Sequence, residues 1–274
     1  FPHASSLLFS VLVLLFYFLS FKKSSIIYPL LTGMSLGMLI LIRPIDAVII
    51  AVPLVIYSIM ELVKDKRLVK QFSAMIAVTA IFLGITAMLN SILTGELLKF
   101  GYQVYNPADK FSISASQFGL GIQHTLDRFA LLLLWLPFVP FLAVLAKYER
   151  IKVLLVGVFL TSVATYFFYP WSGWDQFGPR YNYVGLAGLA IVAGSAIDRL
   201  RVNKKTIFTA IITVNILLTL AIGYDIGKEV EFRKQLYDYV EDEQITNSIV
   251  CVKSTQEQGC TWYTRNSPKL DDRK

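Results

Sequence analysis

The chain has 274 residues, of which 55% are apolar and 16% are charged, and its mean hydropathy is +0.57. A soluble globular chain carries about a quarter charged residues, so this composition excludes an ordinary soluble domain and places the protein in a membrane. The formal net charge is +7, and its placement argues against nucleic acid as the partner.

The apolar residues fall into blocks of bilayer length, since a helical span needs roughly 17–25 mostly apolar residues. In chain order the spans read Ala4–Phe21, Ile26–Ile42, Ile45–Met60, Phe72–Leu93, Phe129–Ala146, Val153–Tyr169, Tyr181–Ile197 and Thr206–Tyr224. Lipid offers no partner for unpaired backbone groups, so these segments are expected to be helices. The alternating ten-residue strands of a barrel do not occur. The expected fold class is all-α: a polytopic transmembrane bundle of about eight spans with a small extracytoplasmic C-terminal segment. The domain reading is 1–224 for the bundle and 225–274 for the tail. Phe1-Pro2-His3 leads straight into the first block without a charged n-region or small-residue cleavage site. The segment is therefore not read as a signal peptide, and the chain reads as a fragment whose N-terminus lies upstream.

Basic residues set the orientation, because short Lys/Arg-rich loops stay in the cytoplasm. The first, third, fifth and seventh gaps hold 13 Lys and Arg, among them Lys22, Lys64, Arg150 and Arg199; the second, fourth and sixth hold Arg43, Lys99, Lys110, Arg128 and Arg180. Odd gaps are therefore expected inside, and even gaps and the tail outside. The inside excess faces anionic lipid headgroups.

Arg43-Pro44 interrupts an apolar run of about 35 residues, which as one helix would extend about 52 Å, too long for one span of a ~30 Å core. Two spans meeting at a tight turn fit better, with Pro44 in the first turn of the second. Asp46 is near enough to pair with Arg43. The turn is either self-neutralised or offers Arg43 to an anionic ligand. Pro137 and Pro140 are expected to kink the fifth span or re-shape its backbone. Asn215 lies mid-span and reads as interhelical glue.

The segments expected outside are the rich ones. Thr94 to Arg128 carries Tyr102, Tyr105, Asp109, Lys110, Gln117 and His124. The other segment is Pro170-Trp171-Ser172-Gly173-Trp174-Asp175-Gln176-Phe177-Gly178-Pro179-Arg180. Trp171 and Trp174 with Tyr169 and Tyr181 form either an interfacial aromatic belt or a stacking platform for a sugar ring. Asp175 either caps a helix start or binds a substrate hydroxyl. Arg180 is either a snorkelling anchor or a phosphate clamp, whose planar guanidinium suits phosphate oxygens. Cys251 and Cys260 lie in the tail, where an oxidising compartment would let them pair. His3 and His124 make no zinc site by themselves. There is no Gly-rich phosphate loop and no nucleophile elbow.

Gly37-Met38-Leu39-Ile40-Leu41-Ile42-Arg43-Pro44 resembles the "G-hydrophobic-LxRP" segment of polytopic glycosyltransferases of the GT-C fold, and more narrowly the family 39-like enzymes, relatives of protein O-mannosyltransferases and lipid A aminoarabinose transferases. Trp174-Asp175-Gln176-Phe177-Gly178-Pro179-Arg180-Tyr181 resembles their "W-x-x-S/x-F-G-x-R-Y" outer loop. Thr94-Gly95 through Tyr105-Asn106-Pro107-Ala108-Asp109, then His124-Thr125, resembles the long loop after a "TG" turn. Tyr263-Thr264-Arg265-Asn266-Ser267-Pro268 is similar to a "Y-x-R-N-x-P" tail.

The resemblance implies transfer of a sugar from a polyprenyl-phosphate donor to a glycan, lipid or protein acceptor on the extracytoplasmic face of the cell (inner) membrane. It implies no cofactor and no metal. The implied substrate-binding residues are Arg43, Lys110, His124, Trp174, Asp175, Arg180 and Tyr181. Such enzymes carry their acidic catalytic residue in the first outer loop, and no residue of this chain matches it. The catalytic base is expected upstream of Phe1. A transporter or lipid-glycan flippase, and a non-catalytic membrane subunit, are the competing readings. No span carries a charge at its centre and no internal repeat is evident, which favours the enzyme.

Overall fold

The structure is a computed structural model that describes residues 2–23, 25–100, 104, 114–136, 138–147, 149–169, 174–175, 178–197 and 203–243. It is almost entirely helical. Helix α1 covers Pro2–Lys22, α2 Ile27–Ile42, α3 Pro44–Lys64 and α4 Val69–Thr94; α5 covers Ala115–Trp135, α6 Val139–Leu145, α7 Arg150–Phe167, α8 Tyr183–Ile197 and α9 Lys204–Asp242. Among the described residues, five segments are long and apolar enough to cross a membrane: His3–Lys22, Pro44–Lys64, Lys66–Thr94, Arg150–Phe167 and Lys205–Tyr224; Ile27–Ile42 and Tyr183–Ile197 are shorter apolar helices. Several long apolar helices of this kind make this a membrane protein.

Local chemistry sets the helix ends. Arg43 is extended (φ −152°, ψ 94°), as the residue before a proline must be, and Pro44 then opens α3. The break falls where the overlong apolar run required it. A short 3₁₀ turn, Lys66–Leu68, joins α3 to α4, and the Asp65 side chain accepts from the Arg67 backbone N–H at 2.9 Å. Helix α4 stops at Gly95, which takes the left-handed conformation (φ +77°), where glycine avoids the Cβ penalty. Ser114 caps α5 by accepting from the Gln117 N–H at 3.2 Å.

Two expectations are corrected. Phe129–Ala146 is not one helix: α5 ends at Trp135, and α6 begins at Val139. Leu136 leaves the helical region (φ −135°) because it precedes Pro137. The Thr94–Arg128 segment is not all loop, since α5 occupies 115 onward. Helix α9 runs on past Tyr224 to Asp242. The expected all-α class also gains one small exception, an antiparallel pair of two-residue strands, β1 (Trp174–Asp175) and β2 (Gly178–Pro179), with Trp174 opposite Pro179.

The chain forms two compact units, Phe1–Asn215 and Ile216–Lys274. The first holds the core, built from neighbouring helices α1–α2, α2–α4, α3–α7 and α7–α8. Glycines let two of these pairs approach closely. A Cβ on Gly33 would lie 2.6 Å from the Met75 carbonyl, and one on Gly37 would lie 2.3 Å from the Phe82 ring. This is the small-xxx-small packing of membrane helices, and it gives Gly37 of the resemblance motif a packing role. Gly185 and Gly188 let α8 lie against Phe159 and Leu155 of α7 in the same way. An aromatic cluster of Tyr17, Phe21, Tyr57 and Phe72 fills the core near the other end of α1, and the Tyr17 hydroxyl pairs with Ser58 at 2.8 Å. In the second unit, Lys234 pairs with Asp238 at 3.5 Å on the exposed helix surface.

Candidate functional site

The start of α1, the α2–α3 turn, the end of α7 and the start of α8 meet at one end of the first unit. Arg43 is the centre of that meeting point. Its Nη1 lies 3.2 Å from the Asp46 carboxylate and donates to His3 Nδ1 at 2.6 Å. Its Nη2 donates to the Tyr166 hydroxyl at 3.2 Å. A guanidinium cannot accept, so His3 Nδ1 is the acceptor and the His3 proton sits on Nε2. The Tyr166 hydroxyl in turn donates to Asp46 at 2.8 Å. Asp46 is fully buried, and the Ser6 hydroxyl also faces its carboxylate.

Helix geometry explains the pairing. Arg43 stands at the N-cap of α3 and Asp46 three positions on, in its first turn, near enough to pair. A carboxylate buried in a membrane bundle must be paired, and Arg43 and Tyr166 supply the partners. The self-neutralising reading of the turn is therefore realised in the geometry. Arg43 nevertheless keeps an exposed edge, 18% of its side chain, and that edge lines a cleft.

Tyrosines build the platform below it. Tyr166 and Tyr181 are stacked at 4.8 Å between centroids and 13° between planes. Tyr169 meets Tyr181 edge-on at 5.1 Å. Arg43 lies 5.7 Å from the Tyr181 centroid, within cation–π range. Next to this stack, Asn182 donates to the Ser162 hydroxyl at 3.1 Å and ties the start of α8 to α7.

The cleft encloses about 510 Å³, and its polar wall is His3, Arg43, Tyr169 and Tyr181. The facing wall is Thr86, Leu89, Asn90 and Leu93 of α4, with Phe100. An apolar groove of about 280 Å³ adjoins it, lined by Leu36, Val48, Leu83 and Leu97 among others. Cleft and groove share Ile40, Pro44, Thr86, Asn90 and Phe100. Asn90 ties this wall down: its amide donates to the Leu97 carbonyl at 3.1 Å, and Thr94 lies within hydrogen-bond distance of the Lys99 carbonyl.

Of the residues implied by the resemblance, Arg43 and Tyr181 come together here. His124 does not line the cleft; it sits on α5 beside Arg128, with its ring against the Tyr169 backbone. Burial first, and the Arg128 charge second, hold its imidazole below the ordinary histidine value. Trp174, Asp175 and Arg180 are placed by their backbone, in the strand pair and in the 3₁₀ turn Arg180–Asn182 that leads into α8; their side chains lie outside the described residues. So do Lys110, Cys251 and Cys260. His3, Tyr166 and Asn90 were missed as site residues. A hydroxyl in an apolar helix gives no sequence signal of its neighbours, and the sequence separation of 40 between His3 and Arg43 hides their contact. Among the described residues no group of three His, Cys, Asp or Glu side chains forms a metal site.

Comparison with protein-family profiles, with curated proteins and with solved structures gives no match.

Proposed function

We propose that this chain is part of a membrane glycosyltransferase that moves a sugar from a polyprenyl-phosphate donor to an acceptor on the extracytoplasmic side. The observation that carries this reading is the continuity between a polar cleft holding Arg43 and an apolar groove between α2, α3 and α4. A lipid phosphate has that division: an anionic head and a hydrocarbon tail. The phosphate would lie against the free edge of Arg43, the tail would run along the groove, and the sugar would rest near Tyr181. The alternation of basic residues along the chain supports placing the Arg43 end outside and a topology of about eight spans.

In the proposed reaction an acceptor hydroxyl attacks the anomeric carbon. The bond from that carbon to the phosphate oxygen breaks, and the phosphate leaves with the electron pair. A carboxylate takes the hydroxyl proton. Asp46 does not suit that task, since Arg43 and Tyr166 occupy it and it is fully buried. Arg43 stabilises the charge that grows on the leaving phosphate. Its three side-chain partners hold it in place, so little rotamer freedom is lost when a ligand binds.

The test is reconstitution of the full-length protein in vesicles with undecaprenyl-phosphate-linked sugar. Release of undecaprenyl phosphate, lost in Arg43→Lys, supports the enzyme. Movement of intact lipid-linked sugar between leaflets without cleavage identifies a flippase instead. Neither activity identifies a non-catalytic subunit.

A further inference from the structure

Arg128 does not line the cleft, yet it reaches the residues that build it. It lies on α5 and is only 4% exposed. Its Nη1 donates to the Tyr166 carbonyl at 2.8 Å. Tyr166 stands in the last turn of α7, where a cation is favoured by the helix dipole; its carbonyl also accepts from the Tyr169 N–H at 3.3 Å. The same guanidinium lies 5.7 Å from the Tyr181 centroid, as Arg43 does. This carbonyl bond and this ring contact both fall on the stacked pair Tyr166–Tyr181. Tyr166 then reaches Arg43 and Asp46 through its hydroxyl.

We propose that Arg128 is a positioning residue for the Arg43 cleft: it fixes the Tyr166–Tyr181 stack, and the stack fixes the direction of the Arg43 guanidinium. A planar fork suits this role, because one edge bonds a carbonyl while the plane lies by a ring. The inference deepens the proposed anion site, but its first test stands without that reading.

The first test is the rate at which p-hydroxyphenylglyoxal modifies Arg43 in the detergent-solubilised full-length protein, read by mass spectrometry of its peptide. Arg128→Gln is expected to raise that rate roughly 2- to 30-fold, the range of indirect coupling through packed networks. A residue that merely ends α7 would lower the melting temperature and leave Arg43 labelling unchanged, and that result overturns the proposal. If Arg128→Gln does not fold, Arg128→Lys decides, since it keeps the charge at the helix end and loses the fork. Faster Arg43 labelling then supports the proposal, and an unchanged rate overturns it. The second test is binding of undecaprenyl phosphate, expected to weaken by a similar factor in the variant. If the wild-type protein does not bind this lipid, the anion-site reading fails, while the labelling result still decides the role of Arg128.

Discussion

The Tyr166 hydroxyl donates to the fully buried Asp46 carboxylate at 2.8 Å across a sequence separation of 120 residues. This one bond joins the end of α7 to the start of α3. The same hydroxyl accepts from Arg43, so one oxygen serves both members of the ion pair.

Tyr166→Phe keeps the ring and its stack on Tyr181 but deletes that oxygen. A hydrogen bond to a charged group contributes about 1.5–3 kcal/mol, and the variant should be destabilised by that order. Thermal unfolding in detergent measures it. In an Asp46→Asn background the same change should matter less, because the charged acceptor is gone. Equal losses in both backgrounds would show that Asp46 does not depend on Tyr166.

Helix α2 should tolerate no side chain at its two close glycines. Gly33→Ala drives a methyl toward the Met75 backbone carbonyl, which has nowhere to move without shifting α4. Gly37→Ala meets the Phe82 ring instead, and a side chain yields more readily than backbone. Overpacking of this kind costs about 1–3 kcal/mol. Gly33→Ala is expected to lower the melting temperature more than Gly37→Ala, and Phe82→Ala should rescue only the Gly37 variant. Rescue of both, or of neither, would contradict this packing.

The sequence was legible where the physics is local. The overlong apolar run fixed the Arg43-Pro44 break, because bilayer thickness and the backbone restriction before proline act on neighbouring residues. The spacing of Arg43 and Asp46 foretold their ion pair for the same reason. Reading failed where two local signals competed. Apolar content carries the fifth segment to Ala146 as one span, while Pro137 and Pro140 re-shape its backbone so far that two helices result. The site was legible in its arginine and in Tyr181. His3 and Tyr166 were not, since their meeting depends on which helix ends pack together, and neither carries a spacing that announces a partner.

His124 provides a pH signature. Burial, then the neighbouring Arg128 charge, lowers its folded-state value below the ordinary 6.5, with the Tyr169 backbone and Asp127 opposing. The unfolded chain therefore binds the proton at higher pH than the folded one. Between the folded value and 6.5 the unfolded state holds more protons, so stability falls as pH falls through that window. Above it the imidazole is neutral in both states and contributes no slope. Melting of the wild type relative to His124→Gln, followed from pH 8 to pH 5, should be level at first and then decline. A difference that stays level throughout, or that grows in favour of the wild type in acid, contradicts the lowered value.

Topology is the remaining prediction, and the packing sharpens it. His3, Arg43, Tyr166 and Tyr181 share one end of the first unit. At the opposite end of α3 and α7, Glu61 pairs with Arg150 at 3.7 Å. Helices α3 and α7 therefore run antiparallel, as the alternation of basic residues requires. The positive-inside rule places the Glu61 end, with Lys64, Lys66 and Arg67, in the cytoplasm, and it places the Arg43 end outside. The test uses the full chain with Cys251 and Cys260 changed to Ser and one new cysteine at a time. Ser114→Cys, at an exposed position ahead of α5, should react with a membrane-impermeant maleimide in intact cells. The variant gives up the cap to Gln117, a loss of about 1 kcal/mol that should leave the fold intact. Lys66→Cys, in the exposed turn before α4, should react only after the cells are opened. Both variants are needed because a leaky preparation labels both positions equally. Labelling of Ser114→Cys solely from the cytoplasmic side would invert the protein and remove the Arg43 cleft from the face on which the proposed transfer takes place.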